Sequence, residues 1–182
     1  MKKITILLIN LFFFTLLINA QNVIIKANAT AELEVCGSSE AFEVVVINNS
    51  GNVMTNPEIV ISLPEGIEYI ANSLNEATSL SVVESNVSQN DALSFTSSNI
   101  IDGDSVAFTI MYDAKNSTVL LQNTGAVLRN DVTFNYDGSS VATKTSNSYN
   151  ILYPALSIAS ITPSFQTIVS GASTTRTINV IN

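Results

Sequence analysis

The sequence predicts an all-β fold, an antiparallel immunoglobulin-like β-sandwich followed by the opening strands of a second repeat. Three observations carry that expectation. Val, Ile and Thr, the β-branched residues that suit a pleated surface, dominate in short apolar runs. Turn-forming clusters part the runs at short intervals. No window shows a sustained helical stripe bounded by caps. Roughly eight or nine short strands with such punctuation suit a sandwich better than any helical or mixed architecture.

The first element is not part of the fold. Lys2 and Lys3 form a basic start, Ile4 to Ile18 an apolar core broken only by Thr5, Asn10 and Thr15, and Ile18-Asn19-Ala20 ends on a small residue. Residues 1–20 therefore read as a secretory signal peptide, cleaved before Gln21. A membrane anchor is the alternative, but a span needs about 20 mainly apolar residues, and this run is shorter. No cysteine stands at the cut to suggest a lipid anchor, and no membrane insertion is expected after cleavage.

The strands follow in order. Phe42, Val44 and Val46 alternate with Glu43, Val45 and Ile47, apolar on both faces toward the end, as in a central strand. The Asn-rich stretch Asn48 to Asn52 turns the chain, with side-chain oxygens standing in for backbone partners. Ile59, Ile61 and Leu63 resume the pattern until Pro64, which lacks an N–H and stops the ladder, and Gly66 permits the reversal into Ile67 to Ala71. Further strands are expected at Leu80 to Val87, Ala92 to Thr96, Ser105 to Tyr112, Thr118 to Gln122, Val127 to Tyr136 and Ser140 to Leu152. Val132, Phe134 and Tyr136 face one way and Thr133 and Asn135 the other, which marks a strand with one wet face. Asp137-Gly138 between two such runs is a strong hairpin cue.

A segment near the start recurs at the end. VCGSSEAFEVVVIN, from Val35 to Asn48, matches VSGASTTRTINVIN, from Val169 to Asn182, without a gap and at an offset of 134 residues. That spacing is one whole sandwich and suits tandem extracellular domains rather than a solenoid, whose units are shorter. The expected organisation is a signal peptide at 1–20, a sandwich repeat at 21–153, and the truncated start of a second repeat at 154–182, with strands at Ala155 to Ile161 and Thr175 to Ile181. The chain is then the front of a longer protein.

With these residues in view, VVVINNSGNVMTNPEIVISLPEGIEYIANS resembles the conserved surface repeat of bacteria, a domain of unknown function. Its copies run strand, Asn-x-Gly-like turn, strand, Leu-Pro-x-Gly, then an aromatic residue. IIDGDSVAFTIMY and NDVTFNYDGSSVATKTSNSYNILYPALSI are similar to that family's closing hairpins, so the resemblance covers nearly all of Ala31 to Asn182. It implies an immunoglobulin-like sandwich in a large, exported, adhesin-like protein. Some copies carry a second cysteine after the strand matching Ser105 to Tyr112. This chain has none there, which leaves the role of Cys36 open.

Composition narrows the function. Seven Lys and Arg stand against 15 Asp and Glu, a formal net charge of −8, and loss of Lys2 and Lys3 makes the mature chain more acidic. That argues against nucleic acid or an anionic membrane as partner. The chain has no His and no Trp, so a Ser-His-Asp triad, a Cys-His pair and a His-ligated metal are excluded within it. No catalytic, cofactor-binding or metal-binding residue is assigned, and no cofactor is expected. Cys36 is read as a half-buried strand residue, with a bond to a cysteine elsewhere as the alternative. Asp102 and Asp104 flank Gly103 and are the candidate Ca²⁺ ligands, although nothing resembles an EF-hand loop. Glycan binding is the rival function, with Tyr69, Tyr112, Phe134, Tyr136, Tyr149 and Tyr153 as candidate platforms. Asn28, Asn48, Asn86 and Asn116 match the N-glycosylation pattern, incidental in a bacterium. The favoured reading is a non-catalytic spacer whose partners are neighbouring repeats of the same chain, with surface proteins or glycans as further candidates, joined to the next copy through Tyr153-Pro154-Ala155, where Pro154 fixes φ.

Overall fold

The computed structural model describes residues 22–115, 120, 127–153, 157–162 and 177–181, the last two ranges by backbone alone. The expected leader and Pro154 lie outside them. In chain order the strands are β1 (Val23–Asn28), β2 (Glu32–Glu34), β3 (Glu40–Asn48), β4 (Glu58–Ser62), β5 (Ile67–Tyr69), β6 (Asn75–Glu76), β7 (Val82–Asn86), β8 (Leu93–Ser97), β9 (Ser105–Ala114), β10 (Val127–Leu128), β11 (Asp131–Tyr136), β12 (Ser139–Thr145), β13 (Tyr149–Leu152), β14 (Ser157–Thr162) and β15 (Thr177–Ile181). The chain divides into two compact units, Met1–Ile151 and Leu152–Asn182.

Alternation in the sequence makes the first unit a sandwich. In β9 the residues Val106, Phe108, Ile110, Tyr112 and Ala114 are buried and their neighbours are not, the period-2 pattern of a strand with one dry face. β9 is the centre of a sheet ordered β1-β3-β9-β5, with β6 also on β9. The facing sheet is ordered β12-β11-β4-β8-β7 and turns Ile59, Ile61, Leu93, Phe95, Val132 and Phe134 inward, all 0% exposed. Phe95 of one sheet meets Phe108 of the other with ring centroids 5.2 Å apart. Each such ring contributes about 1.5–3 kcal/mol by leaving water. All the registered pairings between these strands are antiparallel, and the fold is the antiparallel, immunoglobulin-like sandwich that the alternation predicts.

Four expectations need correction. Val127 to Tyr136 is not one strand: β10 and β11 belong to different sheets. Nor is Ser140 to Leu152, because β12 stays with β11 while β13 joins β10 and β2 in a separate three-stranded sheet. Both segments change sheet at the same level, where Arg129-Asn130 and Ser146-Asn147-Ser148 interrupt the ladders. The strand expected at Thr118 to Gln122 is overturned at its one described residue, since Leu120 is helical and buried. β1 and β2 were not foreseen, although VIIKAN is a plain apolar run.

The registers also fix chain direction. β1 is antiparallel to β3, and β3 to β9, so β1 and β9 run the same way. Val23 pairs with Asn48, beside the Ile47–Ser105 pair at the start of β9. Val35 bridges Ala114, at the end of β9, in parallel. Asn147 bonds both backbone groups of Ala29, and the Asn150 N–H donates to Ala31 O at 3.0 Å. The segment leading into β2 and the one leading into β13 therefore advance together. The chain enters at one pole and β13 runs toward the other, about 30 Å away along the ten residues of β9.

The second unit is described through β14 and β15, an antiparallel pair. Both lie 134 positions after counterparts in the first unit, Ser157–Thr162 after Val23–Asn28 and Thr177–Ile181 after Glu43–Ile47. Ser160↔Asn179, Ile161↔Ile178 and Thr162↔Thr177 reproduce, at that offset, the pairs Lys26↔Val45, Ala27↔Val44 and Asn28↔Glu43. A register shift between Ile158 and Ser160 separates the remaining pairs.

Candidate functional site

At the entry pole the turn after β3 is built on one side chain. Asn48 is 0% exposed. Its Nδ2 donates to Asn52 O at 2.7 Å and Ile100 O at 2.8 Å, while its Oδ1 accepts from Ser50 N–H at 3.0 Å and Ser50 Oγ at 2.7 Å. Two loops distant in sequence are thereby held together, and the Met54–Ile100 bridge extends the contact. Val53 and Ile101 flank that bridge and are 51% and 53% exposed. The Asp102 carboxylate accepts from Gly51 N–H at 2.7 Å, so this candidate Ca²⁺ ligand serves as a clasp between loops. Among the described residues, no group of three or more His, Cys, Asp or Glu could hold a metal ion.

Toward the exit pole the two sheet changes are tied by side chains. Asn130, 0% exposed, accepts at Oδ1 from the Tyr149 hydroxyl at 2.7 Å, and its N–H donates to Ser146 Oγ at 2.9 Å. Its Nδ2 is buried without a partner. Tyr149 also packs edge-on against Tyr112, centroids 5.7 Å apart. Burial pushes the Tyr149 hydroxyl far up, and pushes Tyr112 up to about 12. Tyr112 Oη in turn accepts from Thr30 N–H at 3.3 Å. Nothing in the spacing of these residues foretold the cluster. The only signal was that short polar residues break two otherwise apolar runs.

Cys36 is not a half-buried strand residue. It is exposed, with φ at 58°, just beyond the Val35 bridge. Lys115 lies in the same region. It pairs with Asp113 at 2.7 Å and reaches Glu68 at 3.9 Å, and the Asp113 hydrogen bond raises its pKa. A shallow groove of about 430 Å³ is lined by Leu63, Pro64, Gly66 and Ile67 on its apolar side and by Glu65, Glu68, Asn90 and Asp91.

The aromatic residues do not form a sugar platform. Tyr112, Phe134 and Tyr149 are in the core at 0–1% exposure. Tyr69 is half-buried, its ring edge-on to Phe95 and its hydroxyl donated to Glu84. Burial first, then that hydrogen bond, lifts its pKa to about 12. Tyr136 and Tyr153 are half-buried as well. The Asn48 glycosylation match is closed by its four hydrogen bonds, and Asn116 lies outside the described residues. Among the described residues the site is thus a pair of firmly clasped poles, with no nucleophile and base brought together.

No family model matches the chain, and no curated protein matches it. Among solved structures it is similar to a cohesin module of a family 33 glycoside hydrolase from Clostridium perfringens, at 14% identity and a TM-score of 0.46, covering 74% of this chain and 99% of that one. It is similar to the CARDB domain of a Pyrococcus furiosus protein at 8% identity and 0.46, covering 75% and 97%. A non-cellulosomal cohesin from Archaeoglobus fulgidus gives 14% and 0.44, covering 70% and 91%. None of these likenesses bears on the site. In addition, no helix among the described residues is long and apolar enough to cross a membrane.

Proposed function

We propose that the chain is a non-catalytic, exported β-sandwich repeat that serves as a spacer or adhesion module of a larger bacterial surface protein. One observation carries this reading. The β1–β3 pairing of the first unit recurs as β14–β15 at an offset of 134 residues, three of its pairs in the same register, as a second copy opening after the first would have it. The position of entry and exit at opposite poles of the first unit supports it further, because a spacer must be joined at both ends. The resemblance to the bacterial surface repeat and the leader-like start point the same way.

The test is length. Chains carrying one, two and three complete copies are compared by small-angle scattering. The maximum dimension should grow by roughly 35 Å per added copy. A dimension that stays nearly constant as copies are added overturns the spacer. A rise in melting temperature of many degrees on adding Ca²⁺ would overturn the purely structural reading, since specific binding stabilises the native state by mass action.

A further inference from the structure

We infer that the segments Ala29–Glu34 and Asn147–Ile151 form a mechanical clamp that carries tension between the two ends of the first unit. The purpose of such a clamp rests on the spacer reading; the mechanical resistance is a property of this fold and is tested separately.

Tension applied to the ends reaches the unit at Val23 and at Ile151, at opposite poles. From Val23 it travels along β1, which lies parallel to the long axis set by β9. It then passes into Ala29 to Ala31. There the last strand is already attached: Asn147 Oδ1 accepts from Ala29 N–H at 2.7 Å, Asn147 Nδ2 donates to Ala29 O at 2.9 Å, and Asn150 N–H donates to Ala31 O at 3.0 Å. β2 and β13 continue side by side in their own sheet. Load can therefore cross from the first strands to the last without passing through β3 to β12.

The direction of the pull decides how these bonds fail. The two segments run the same way, so pulling the first toward the entry pole and the second toward the exit pole slides one along the other. In sliding, every bond across the pair is stretched at once. In peeling, by contrast, bonds break one at a time at much lower force. Tyr112 holds the clamp from behind, through the Thr30 N–H and its contact with the Tyr149 ring. The six-pair β1–β3 ladder is loaded along its length as well.

The experiment holds the full chain by its two ends at constant force and times the unfolding of the first unit, a quantity governed by the unfolding rate. Asn147→Ala should shorten that lifetime at least tenfold, and Asn147→Asp, which keeps the acceptor for Ala29 N–H and loses the donor, should fall between. Thr145→Ala removes a bond to Asp131 that lies off the path and should leave the lifetime within twofold. The same chain is also pulled through handles at Val53→Cys and Ile101→Cys in a Cys36→Ser background, both at the entry pole. In that geometry Asn147→Ala should change the lifetime less than twofold. An equal effect in the two geometries, or none on the end-to-end pull, overturns the clamp; extended scattering dimensions with either of those results would leave the spacer standing without it.

Discussion

Asn48 places a whole carboxamide inside the protein and satisfies it four times over. Asn48→Ala would leave Ile100 O and the Ser50 donors to find new partners in a buried place, a cost of about 3 kcal/mol. The expected outcome is a lower urea midpoint with an unchanged slope; a midpoint within the error of wild type would mean that the turn holds without its side chain. Half of this role was legible. Asn-Asn-Ser-Gly-Asn announces a turn capped by its own oxygens, but the bond to Ile100 spans 52 residues and no local pattern encodes it. Glu58 is a second case. Its carboxylate accepts from Ser94 Oγ at 2.6 Å and Asn135 Nδ2 at 3.1 Å, and these bonds lower its pKa from 4.5 against the opposing effect of burial. A lowered folded-state pKa gives stability that is present above the unfolded value and is lost as pH falls through the folded one. The stability difference between wild type and Glu58→Gln should therefore shrink as pH drops below 4.5, and a difference that grows on acidification would contradict it.

Turn chemistry and sheet assignment behave differently at the scale of elements. The β11–β12 hairpin is closed by Asp137 and Gly138, both at positive φ, between the paired residues Tyr136 and Ser139. Asp-Gly encodes that geometry directly, so the hairpin was legible. A Cβ at Gly138 would meet nothing within 4 Å, so the cost of Gly138→Ala is backbone strain alone, about 1 kcal/mol. Thermal unfolding should show a loss of a few degrees, and a stabilised variant would show that the turn relaxes to another type. The sheet changes at Asn130 and Ser146 were not legible. Alternation reports which face of a strand is dry, and that face stays dry when the strand moves to another sheet.

Edges matter for the molecule as a whole. β12 is an outer strand of its sheet, and Lys144 stands opposite Val132, whose side chain is buried. The charge thus sits on the core-facing side of an edge, where it discourages a second chain from extending the ladder. Lys144→Val should promote association, seen as a concentration-dependent rise in sedimentation coefficient; a variant that stays monomeric at high concentration would assign edge protection to other groups. The two sheets and their core were legible because β3, β4, β9 and β11 alternate cleanly. The parallel course of β2 and β13 was not, because β2 is three residues long and its partners lie far along the chain.

The bond between Ala29 and Asn147 joins positions 118 residues apart, and this has a consequence for how the protein comes to be folded. β1 and β3 are close in sequence and can pair as soon as both exist. β2 must wait for almost the last residues of the unit, and closing so long a loop is entropically slow. A chain that appears N-terminus first will pass through a stage in which the front hairpin is made, the outer flank of β2 is bare, and nothing can complete it until Asn147 arrives. Refolding should therefore show late protection of the Asn150 amide relative to those of β3, and the unit stays unfinished until nearly all of its chain is available.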